Sequence, residues 1–407
     1  MGTDQRTNGP TDQRSLKHQL KSLPAPAWIL FGGTFINRFG TFVMPFLVIY
    51  MTRRGYSASQ AGIALSAYGG GHFLAAMIGG HLADRIGRRN TIITSMFSSS
   101  AAMVALSQAR GLAVIIPLTF VAGAAAELYR PAASALIADL IEPKQRYFAF
   151  SMYRFAVNLG FAMGPATAGF LADRSFLYIF LGDAITSVTY GIIAMIFLPH
   201  GMRSHAKDES PIEGFRVAFR DRVFMRFLLA SLCITWVEYQ THSTLPLYIT
   251  KIGYTPATYG SLISINGVLI ILFELIITMW AQRFPKRPLI ALGFALSGLG
   301  FALTGLARSI PALAMTIVVW SLGEMIFAPA TSAFVASIAP EQYRGRYNGL
   351  WITTWSIGMI FGPTLGTWLF EHYEPSLWIS VGVMGFVAAA LVPRKPRTQD
   401  LQRLPVT

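Results

Sequence analysis

The hydrophobic pattern of this chain consists of long apolar stretches separated by short segments rich in charge, proline or glycine. A bilayer core about 30 Å thick is crossed by about 20 helical residues, because each residue rises about 1.5 Å. Twelve stretches have about that length, so we predict an all-α membrane protein with twelve transmembrane helices. The predicted spans are residues 26–51, 57–83, 91–108, 111–137, 148–173, 177–199, 223–251, 256–281, 288–307, 310–338, 346–371 and 375–393.

The amino-acid composition argues against an ordinary soluble domain. Of the 407 residues, 53% are hydrophobic and only 13% are charged, whereas about a quarter of the residues in soluble domains are charged. Lipid must therefore cover much of the surface. The single cysteine, Cys233, excludes a disulfide framework and a CxxC metal or redox site. We expect neither a metal nor a cofactor.

The positive charge of the chain is distributed unevenly between the two sides of the membrane. The formal net charge is +14. If both termini are cytoplasmic, the basic residues of the outer loops are only Arg53, Arg54, Arg110, Arg174, Lys251 and Arg308. This bias follows the positive-inside rule. We therefore expect a multi-pass protein of the cell membrane, plasma or inner, with both termini in the cytoplasm and no nucleic-acid partner.

Residues in the two halves of the chain match at a constant offset of 198 positions. Such pairs include Gly55 and Gly253, Gly62 and Gly260, Arg85 and Arg283, Pro131 and Pro329, and Pro165 and Pro363. Each half contains six predicted spans, so the repeats are parallel and related by an axis along the membrane normal, as in alternating-access carriers. The predicted domains are a cytoplasmic tail at 1–25, a six-helix bundle at 26–199, a cytoplasmic linker at 200–222, a second six-helix bundle at 223–393 and a cytoplasmic tail at 394–407.

The loop after the second span carries a dense motif of glycine and charged residues, namely Gly80, Asp84, Arg85, Gly87, Arg88 and Arg89. It resembles the signature loop between helices 2 and 3 of the major facilitator superfamily, and a degenerate copy follows span 8 at residues 282–287. The resemblance implies the major facilitator fold, with two pseudo-symmetric six-helix bundles, and a gating role for this loop. It further implies that Asp84 faces the N-terminal end of helix 11 near Gly349, and that Asp139 forms an ion pair with Arg88.

Span 5 contains a second motif, formed by Gly160, Gly164 and Pro165. It looks like the antiporter motif of the drug:proton antiporter branch of the superfamily, although small residues at this spacing also serve helix packing in general. The chain departs from that branch in helix 4. Many drug exporters carry an arginine at the position of Phe120, whereas this chain has Arg130, closer to Asp139.

Five charged residues lie deep within predicted spans: Arg38, Glu127, Arg130, Glu238 and Glu324. Each would cost roughly 3 kcal/mol in hydrocarbon at the bilayer centre, so we expect all of them to face a protein cavity or water. They occupy spans 1, 4, 7 and 10. In the major facilitator superfamily, these are the helices that line the central cavity.

Two interpretations of these charges remain open. Glu127 and Arg130 share a helical face and can simply pair. Alternatively, Arg38 and Arg130 compete for Glu127, which accepts a proton when substrate leaves. Glu238 and Glu324 have no cation nearby in their own helices. Each is therefore a candidate for protonation or for binding a cationic group, with structural hydrogen bonding as the alternative.

Aromatic residues near these charges are candidates for lining a substrate cavity through stacking or cation–π contacts. The residues in question are Trp236, Tyr239, Trp320 and Trp355. Packing between helices is the alternative for each of them.

These features predict a secondary active transporter that resembles the multidrug efflux antiporters. We expect a monomer in membrane lipid that exports small amphipathic or lipophilic molecules in exchange for protons, by alternating access. The chain has no GxxxxGK[ST] phosphate-binding loop. It also shows no nucleophile with an adjacent base, so an enzyme is not expected. Proton-coupled uptake of a metabolite and translocation of a lipid or lysolipid remain alternative functions.

Overall fold

The computed structural model describes residue 20 and residues 22–200, 211–340 and 343–393. Within these ranges the secondary structure is helical, without a strand. Most of the predicted N-terminal tail, the C-terminal tail and part of the predicted linker lie outside the described residues.

The first half of the chain forms eight helices, because two of its spans are interrupted. They are α1 Ala25–Phe39, α2 Val43–Arg53, α3 Ala58–Ile86, α4 Arg88–Gln108, α5 Leu112–Glu127, α6 Tyr129–Leu140, α7 Arg146–Arg174 and α8 Phe176–Phe197. The first span therefore consists of α1 and α2, and the fourth of α5 and α6.

A short amphipathic helix and the second set of spans follow. They are α9 Pro211–Arg220, α10 Arg222–Glu238, α11 Gln240–Lys251, α12 Pro256–Ala281, α13 Lys286–Thr304, α14 Ile310–Ile338 and α15 Arg344–Leu391. The seventh span consists of α10 and α11. Spans 11 and 12 lie within α15, because the backbone leaves helical geometry at Tyr373, with φ −149° and ψ 66°.

Helices are present at all twelve predicted positions. When interrupted spans are counted as one helix, nine helices in the described part of the chain are long and apolar enough to cross a membrane. One of the nine is α15, which contains two predicted spans. Polar side chains explain why α4 and the α10–α11 pair are not among the nine, since α4 has a Ser-Ser-Ser run and α11 begins with Gln-Thr-His.

The repeat with an offset of 198 residues is visible in the local structure. After the first and seventh spans, the chain turns at Gly55 and Gly253, whose φ angles are +88° and +95°. Only glycine adopts this region without steric cost. In both turns the amide of the next tyrosine, Tyr56 or Tyr254, donates to a carbonyl five residues earlier. The two halves therefore end equivalent helices with the same turn.

The two halves meet along two pseudo-symmetric seams, α3 against α15 and α7 against α12. Glycine permits close approach in each seam. A Cβ on Gly62 would lie 2.8 Å from the carbonyl oxygen of Pro363, and one on Gly260 would overlap that of Pro165. Ser66 and Thr364 share a hydrogen bond of 2.7 Å in the first seam. These contacts lie in the part of each seam remote from the linker.

The seam of α3 and α15 is less crowded near the linker. We call the ends of the spans that adjoin the linker and the chain termini the linker side. At the start of α15 on this side, a Cβ on Gly345 or Gly349 would meet nothing within 4 Å.

The break in the first span exposes backbone amides inside the bundle. Residues Gly40–Phe42 separate α1 from α2, so the first amides of α2 have no helical acceptor. Asp183 of α8 supplies one, because its Oδ2 accepts from the amide of Val43 at 3.4 Å. A carboxylate at a helix N-terminus also interacts favourably with the helix dipole. The sixth span thus stabilises the interruption in the first.

We expect Gly260→Leu to lower the free energy of unfolding by about 1–3 kcal/mol, the usual range for overpacking, because the added side chain collides with α7. Thermal unfolding of the detergent-purified protein measures this loss. The matched control is Gly32→Leu, since a Cβ on Gly32 meets nothing within 4 Å. Equal melting temperatures for the two variants would contradict the close packing of this seam.

Candidate functional site

Arg38 occupies the last turn of α1, immediately before the break in the first span. Its side chain is 8% exposed. The antiporter-type motif of α7 packs on this turn: a Cβ on Gly160 would lie 2.7 Å from Cβ of Arg38, and one on Gly164 would lie 2.7 Å from the carbonyl oxygen of Phe39. Glycine at these positions lets α7 approach the backbone that carries Arg38. Pro165, the last residue of the motif, lies in the seam with α12.

Glu127, the last residue of α5, is the centre of a buried ionic cluster. Nη1 and Nη2 of Arg38 both donate to Oε1 of Glu127 at 3.1 Å. Oε2 accepts a hydrogen bond of 3.2 Å from Nη1 of Arg130 and lies 3.4 Å from Nε2 of His72. We call these four residues the Glu127 cluster. Both arginines therefore contact the same carboxylate, and the two contacts use different oxygen atoms.

His72 is the member of this cluster that the sequence did not single out. It lies in α3, 55 residues before Glu127 in the chain, and an isolated histidine in an apolar helix is usually a packing residue. The sequence feature that could have indicated its proximity to another helix is the glycine-rich stretch Gly69-Gly70-Gly71-His72. There a Cβ on Gly71 would overlap the backbone of α5. This close approach brings the imidazole to Glu127.

Aromatic rings surround the buried guanidinium of Arg38. Its Cζ lies 5.4 Å from the ring centroid of Tyr129 and 5.7 Å from that of Phe161. Such cation–π contacts favour a cation that has lost its hydration. Arg130 is different, because 54% of its side chain is exposed.

The second half places two carboxyl groups near each other without a basic partner. Glu238 is the last residue of α10 and interacts electrostatically with Glu324 of α14. Glu324 accepts a hydrogen bond of 2.9 Å from Asn266. Glu238 lies near Ser297, and its Oε1 has no hydrogen-bond partner among the described residues. We call Glu238 and Glu324 the acidic pair; within the described ranges, neither forms a salt bridge.

A third acidic residue in this half is neutralised from the other half. Glu274 of α12 accepts a hydrogen bond of 2.8 Å from Nη2 of Arg154, which lies in α7. Glu274 also interacts electrostatically with Glu324. The ion pair between Arg154 and Glu274 therefore links the two halves of the molecule near the acidic pair.

The aromatic candidates occupy different environments. Trp320 is 2% exposed, and its ring stacks on Phe301 with centroids 5.1 Å apart, so it packs between α13 and α14. Trp236 and Trp355 are half-buried against the hydrophobic core. Tyr239 lies between α10 and α11, directly after Glu238, and a Cβ on Gly362 of α15 would lie 2.9 Å from its Cβ. Tyr239 is thus the aromatic candidate at the break in the seventh span.

The loop between α3 and α4 is held by a small ionic network. Gly87 has φ +93°, a conformation that favours glycine. Next to it, buried Arg88 lies 3.2 Å from Oδ1 of Asp84 and 2.9 Å from Oδ2 of Asp139. The contact expected between Arg88 and Asp139 is thus present in the geometry. Asp84 has Arg88 as its ion-pair partner.

The other residues of this loop are less enclosed. Arg89 donates to the carbonyl of Met195 and approaches His200 at the end of the sixth span. Arg85 is exposed. A Cβ on Gly80 would meet nothing within 4 Å. Within the described residues, no group of three or more His, Cys, Asp or Glu side chains could hold a metal ion.

We expect Arg38→Gln to destabilise the protein by about 3–5 kcal/mol, because it leaves Glu127 buried without its principal partner. Arg130→Gln removes the exposed partner and should cost no more than about 1 kcal/mol. Thermal unfolding of both variants in the same detergent measures the difference. Equal losses would contradict the unequal roles assigned to the two arginines.

Comparison with known proteins agrees with this architecture. Residues 30–258 and 243–404 match the Major Facilitator Superfamily. The chain is 28% identical over 355 residues to the MFS-type transporter YqjV of Bacillus subtilis, covering 85% of this chain and 86% of that protein. It is 26% identical to the multidrug resistance protein MdtH of Salmonella newport, over 85% of this chain and 87% of that one. It is 24% identical to a Na(+), Li(+), K(+)/H(+) antiporter of Planococcus maritimus, over 82% of this chain and 87% of that one.

Solved structures show the same fold at low sequence identity. A POT family transporter in complex with a thioalcohol-conjugated peptide is 18% identical, with a TM-score of 0.77 over 92% of this chain and 98% of that one. A D-xylose-proton symporter is 17% identical, with a TM-score of 0.73 over 93% of this chain and 97% of that one. The chain therefore belongs to the major facilitator superfamily and is a multi-pass membrane transporter rather than an enzyme.

Proposed function

We propose that this transporter exports small amphipathic or lipophilic molecules across the cell membrane in exchange for protons. The observation that carries the proposal is the acidic pair. Glu238 and Glu324 interact electrostatically with each other, and no ion pair in the described part of the chain compensates either of them. Glu127, by contrast, already has two arginine partners. The second half is thus the better place for a mobile positive charge.

Two neighbouring carboxylates repel each other strongly in a low-dielectric interior. A proton shared by the acidic pair relieves this repulsion, and so does a cationic group of a substrate. Proton and substrate then compete for the same two side chains. When substrate binds, the proton passes to water; when substrate leaves, a proton from the other side takes its place. Such competition couples export to proton entry.

The relatives agree with export and with exchange. The Salmonella protein is described as a multidrug resistance protein, and the Planococcus protein as an antiporter that exchanges monovalent metal cations for protons. The Gly160, Gly164 and Pro165 motif supports the same direction, because it resembles that of drug:proton antiporters. The excess of basic residues on the linker side supports a cytoplasmic location for both termini.

Alternating access requires the two halves to separate on one side at a time. In this structure, the seam of α3 and α15 is closed at Gly62, remote from the linker, and open on the linker side at Gly349, whereas the Arg154–Glu274 ion pair joins α7 to α12. We interpret this as a state with access from the cytoplasm. In the opposite state, Asp84 would leave Arg88 and approach the N-terminus of α15, where a carboxylate is favoured by the helix dipole.

Glu238→Gln and Glu324→Gln should each abolish accumulation driven by a pH gradient, because the altered pair no longer needs a proton or a cation. Purified protein in liposomes that contain a pH-sensitive dye allows substrate-dependent proton flux to be recorded. Glu374→Gln is the control, since Glu374 is an acidic residue that pairs with Lys251 beside Tyr373, where spans 11 and 12 meet. Normal proton flux in both acidic-pair variants would refute the proposed coupling site.

Asp84→Asn should slow turnover while leaving substrate affinity within about threefold, which corresponds to less than about 0.7 kcal/mol. The reason is that the change affects the loop between α3 and α4 and not the acidic pair. Transport rate and equilibrium binding are measured on the same preparation. Arg85→Gln, which alters an exposed residue of the same loop, serves as the control. Unchanged turnover in Asp84→Asn would remove this residue from the gate.

A further inference from the structure

Helix α9, Pro211–Arg220, is an element to which the proposed exchange assigns no role. One residue, Asp221, separates it from α10, the start of the seventh span. The backbone of Asp221 is extended, with φ −75° and ψ 100°, so the two helices do not share an axis. Since α10 runs into the membrane, α9 leaves the line of that span where the span meets the membrane surface on the linker side.

The joint between α9 and the second half is held by the carboxylate of Asp221. Its Oδ1 accepts hydrogen bonds from the amides of Val223 and Phe224, in the first turn of α10, at 2.9 and 3.0 Å. Its Oδ2 accepts a hydrogen bond of 3.1 Å from the hydroxyl of Tyr347, near the start of α15. Helix α9 contacts both α10 and α15. Its position against the second half is therefore fixed, and the negative charge of Asp221 is used within the protein.

The face of α9 that points away from the protein combines an aromatic ring with two guanidinium groups. Phe219 is 57% exposed, whereas the smaller Ala218 beside it is fully buried. Arg216 and Arg220 are exposed as well. Residues three and four apart are neighbours on a helix, so these two arginines and Phe219 share one face. We call Arg216, Phe219 and Arg220 the α9 surface.

The segment around the α9 surface carries a positive net charge. Residues 211–226 contain four arginines and two acidic residues, which leaves a formal charge of +2. Of the arginines, Arg226 donates to the carbonyl of Ala390. Within the described ranges, neither Arg216 nor Arg220 takes part in an ion pair. The two guanidinium groups of the α9 surface are therefore available to an anionic partner.

The membrane next to α9 offers the chemistry that the α9 surface requires. Anionic phospholipids carry phosphate groups, which accept hydrogen bonds from guanidinium groups, and their acyl chains begin directly below the headgroups. A short helix with basic side chains and an exposed aromatic ring lies along this boundary, with the ring among the upper parts of the chains. Water alone offers no apolar partner for the ring, and a neutral headgroup offers no net negative charge.

We propose that the α9 surface binds anionic phospholipids in the leaflet on the linker side. Arg216 and Arg220 contact the phosphate groups, and the ring of Phe219 enters the level at which the acyl chains begin. Because Asp221 and Tyr347 join α9 to α10 and α15, bound lipid fixes the linker-side ends of these two helices at the membrane surface. The lipid site is distinct from the acidic pair and does not depend on the proposed exchange for protons.

A fluorescent label at position 219 measures which lipid lies at the α9 surface. Phe219→Cys in a Cys233→Ala background leaves one thiol, because Cys233 is the only cysteine of the chain. The full-length protein, labelled with bimane, is reconstituted in phosphatidylcholine vesicles. These contain equal fractions of either phosphatidylglycerol or phosphatidylcholine with a nitroxide quencher on the acyl chain. We expect phosphatidylglycerol to be enriched at least about fivefold at the label, which corresponds to about 1 kcal/mol, the effect of one basic residue near an anionic surface.

Arg216→Gln together with Arg220→Gln should remove this enrichment while the label stays in contact with lipid. Arg110→Gln together with Arg174→Gln is the matched control, because it removes two exposed arginines from the side remote from the linker. The control should keep the enrichment. A label at Ile185, which is 63% exposed in the middle of α8, should be quenched equally by the two lipids.

The proposal fails under any of three outcomes. Equal quenching by the two lipids at position 219 would show that the α9 surface has no preference for anionic lipid. Absence of quenching by either lipid would show that water or another protein molecule covers this surface. Enrichment that persists without Arg216 and Arg220 would assign the preference to other residues.

Discussion

The first half of the structure depends on the requirement that a charge in the bilayer interior find a partner. Hydrocarbon cannot solvate Arg38 or Glu127, so each must find the other inside the bundle. Their contact joins the first span to the fourth, and the glycines of α7 make room for it. Helix packing in the first half is therefore arranged around one carboxylate. The second half lacks such an arrangement, and the acidic pair forms no salt bridge among the described residues.

The same requirement applies to the backbone. A span can be interrupted only where another group satisfies the amides and carbonyls that are released. Asp183 does this for the first span, and the interruption places Arg38 at the end of α1. In the seventh span, the interruption at Tyr239 falls beside Glu238, which corresponds to Gly40 under the offset of 198 residues. Equivalent breaks thus carry a carboxylate in one half and a glycine in the other.

Apolar length and the internal repeat predicted most of the fold, because both are local properties of the sequence. The positions of all twelve helices were predicted, and the turns at Gly55 and Gly253 match the repeat. The partners of the charged residues were less accessible. Arg38 and Glu127 are 89 residues apart, and the sequence left their pairing as one alternative among two. The role of Asp183 could not be predicted, because the backbone amide that donates to it is free only once the first span is broken.

For the aromatic residues, the sequence could not decide whether each ring lines a cavity or packs between helices. Trp320 and Tyr239 both lie near buried glutamates in the chain, yet the ring of Trp320 is covered by Phe301 of a neighbouring helix. Such coverage depends on helix rotation, which hydrophobic periodicity does not define in a span that is apolar all round. Tyr239 differs because it interrupts its helix.

The ion pair between Arg154 and Glu274 joins α7 to α12 in one of the two seams. At the equivalent positions of the other seam, α3 and α15 carry Ala76 and Ile352, which cannot form such a pair. The two matching seams are thereby unequal. On the linker side, an ion pair between the halves holds the seam of α7 and α12, whereas the equivalent positions in the seam of α3 and α15 carry two apolar side chains.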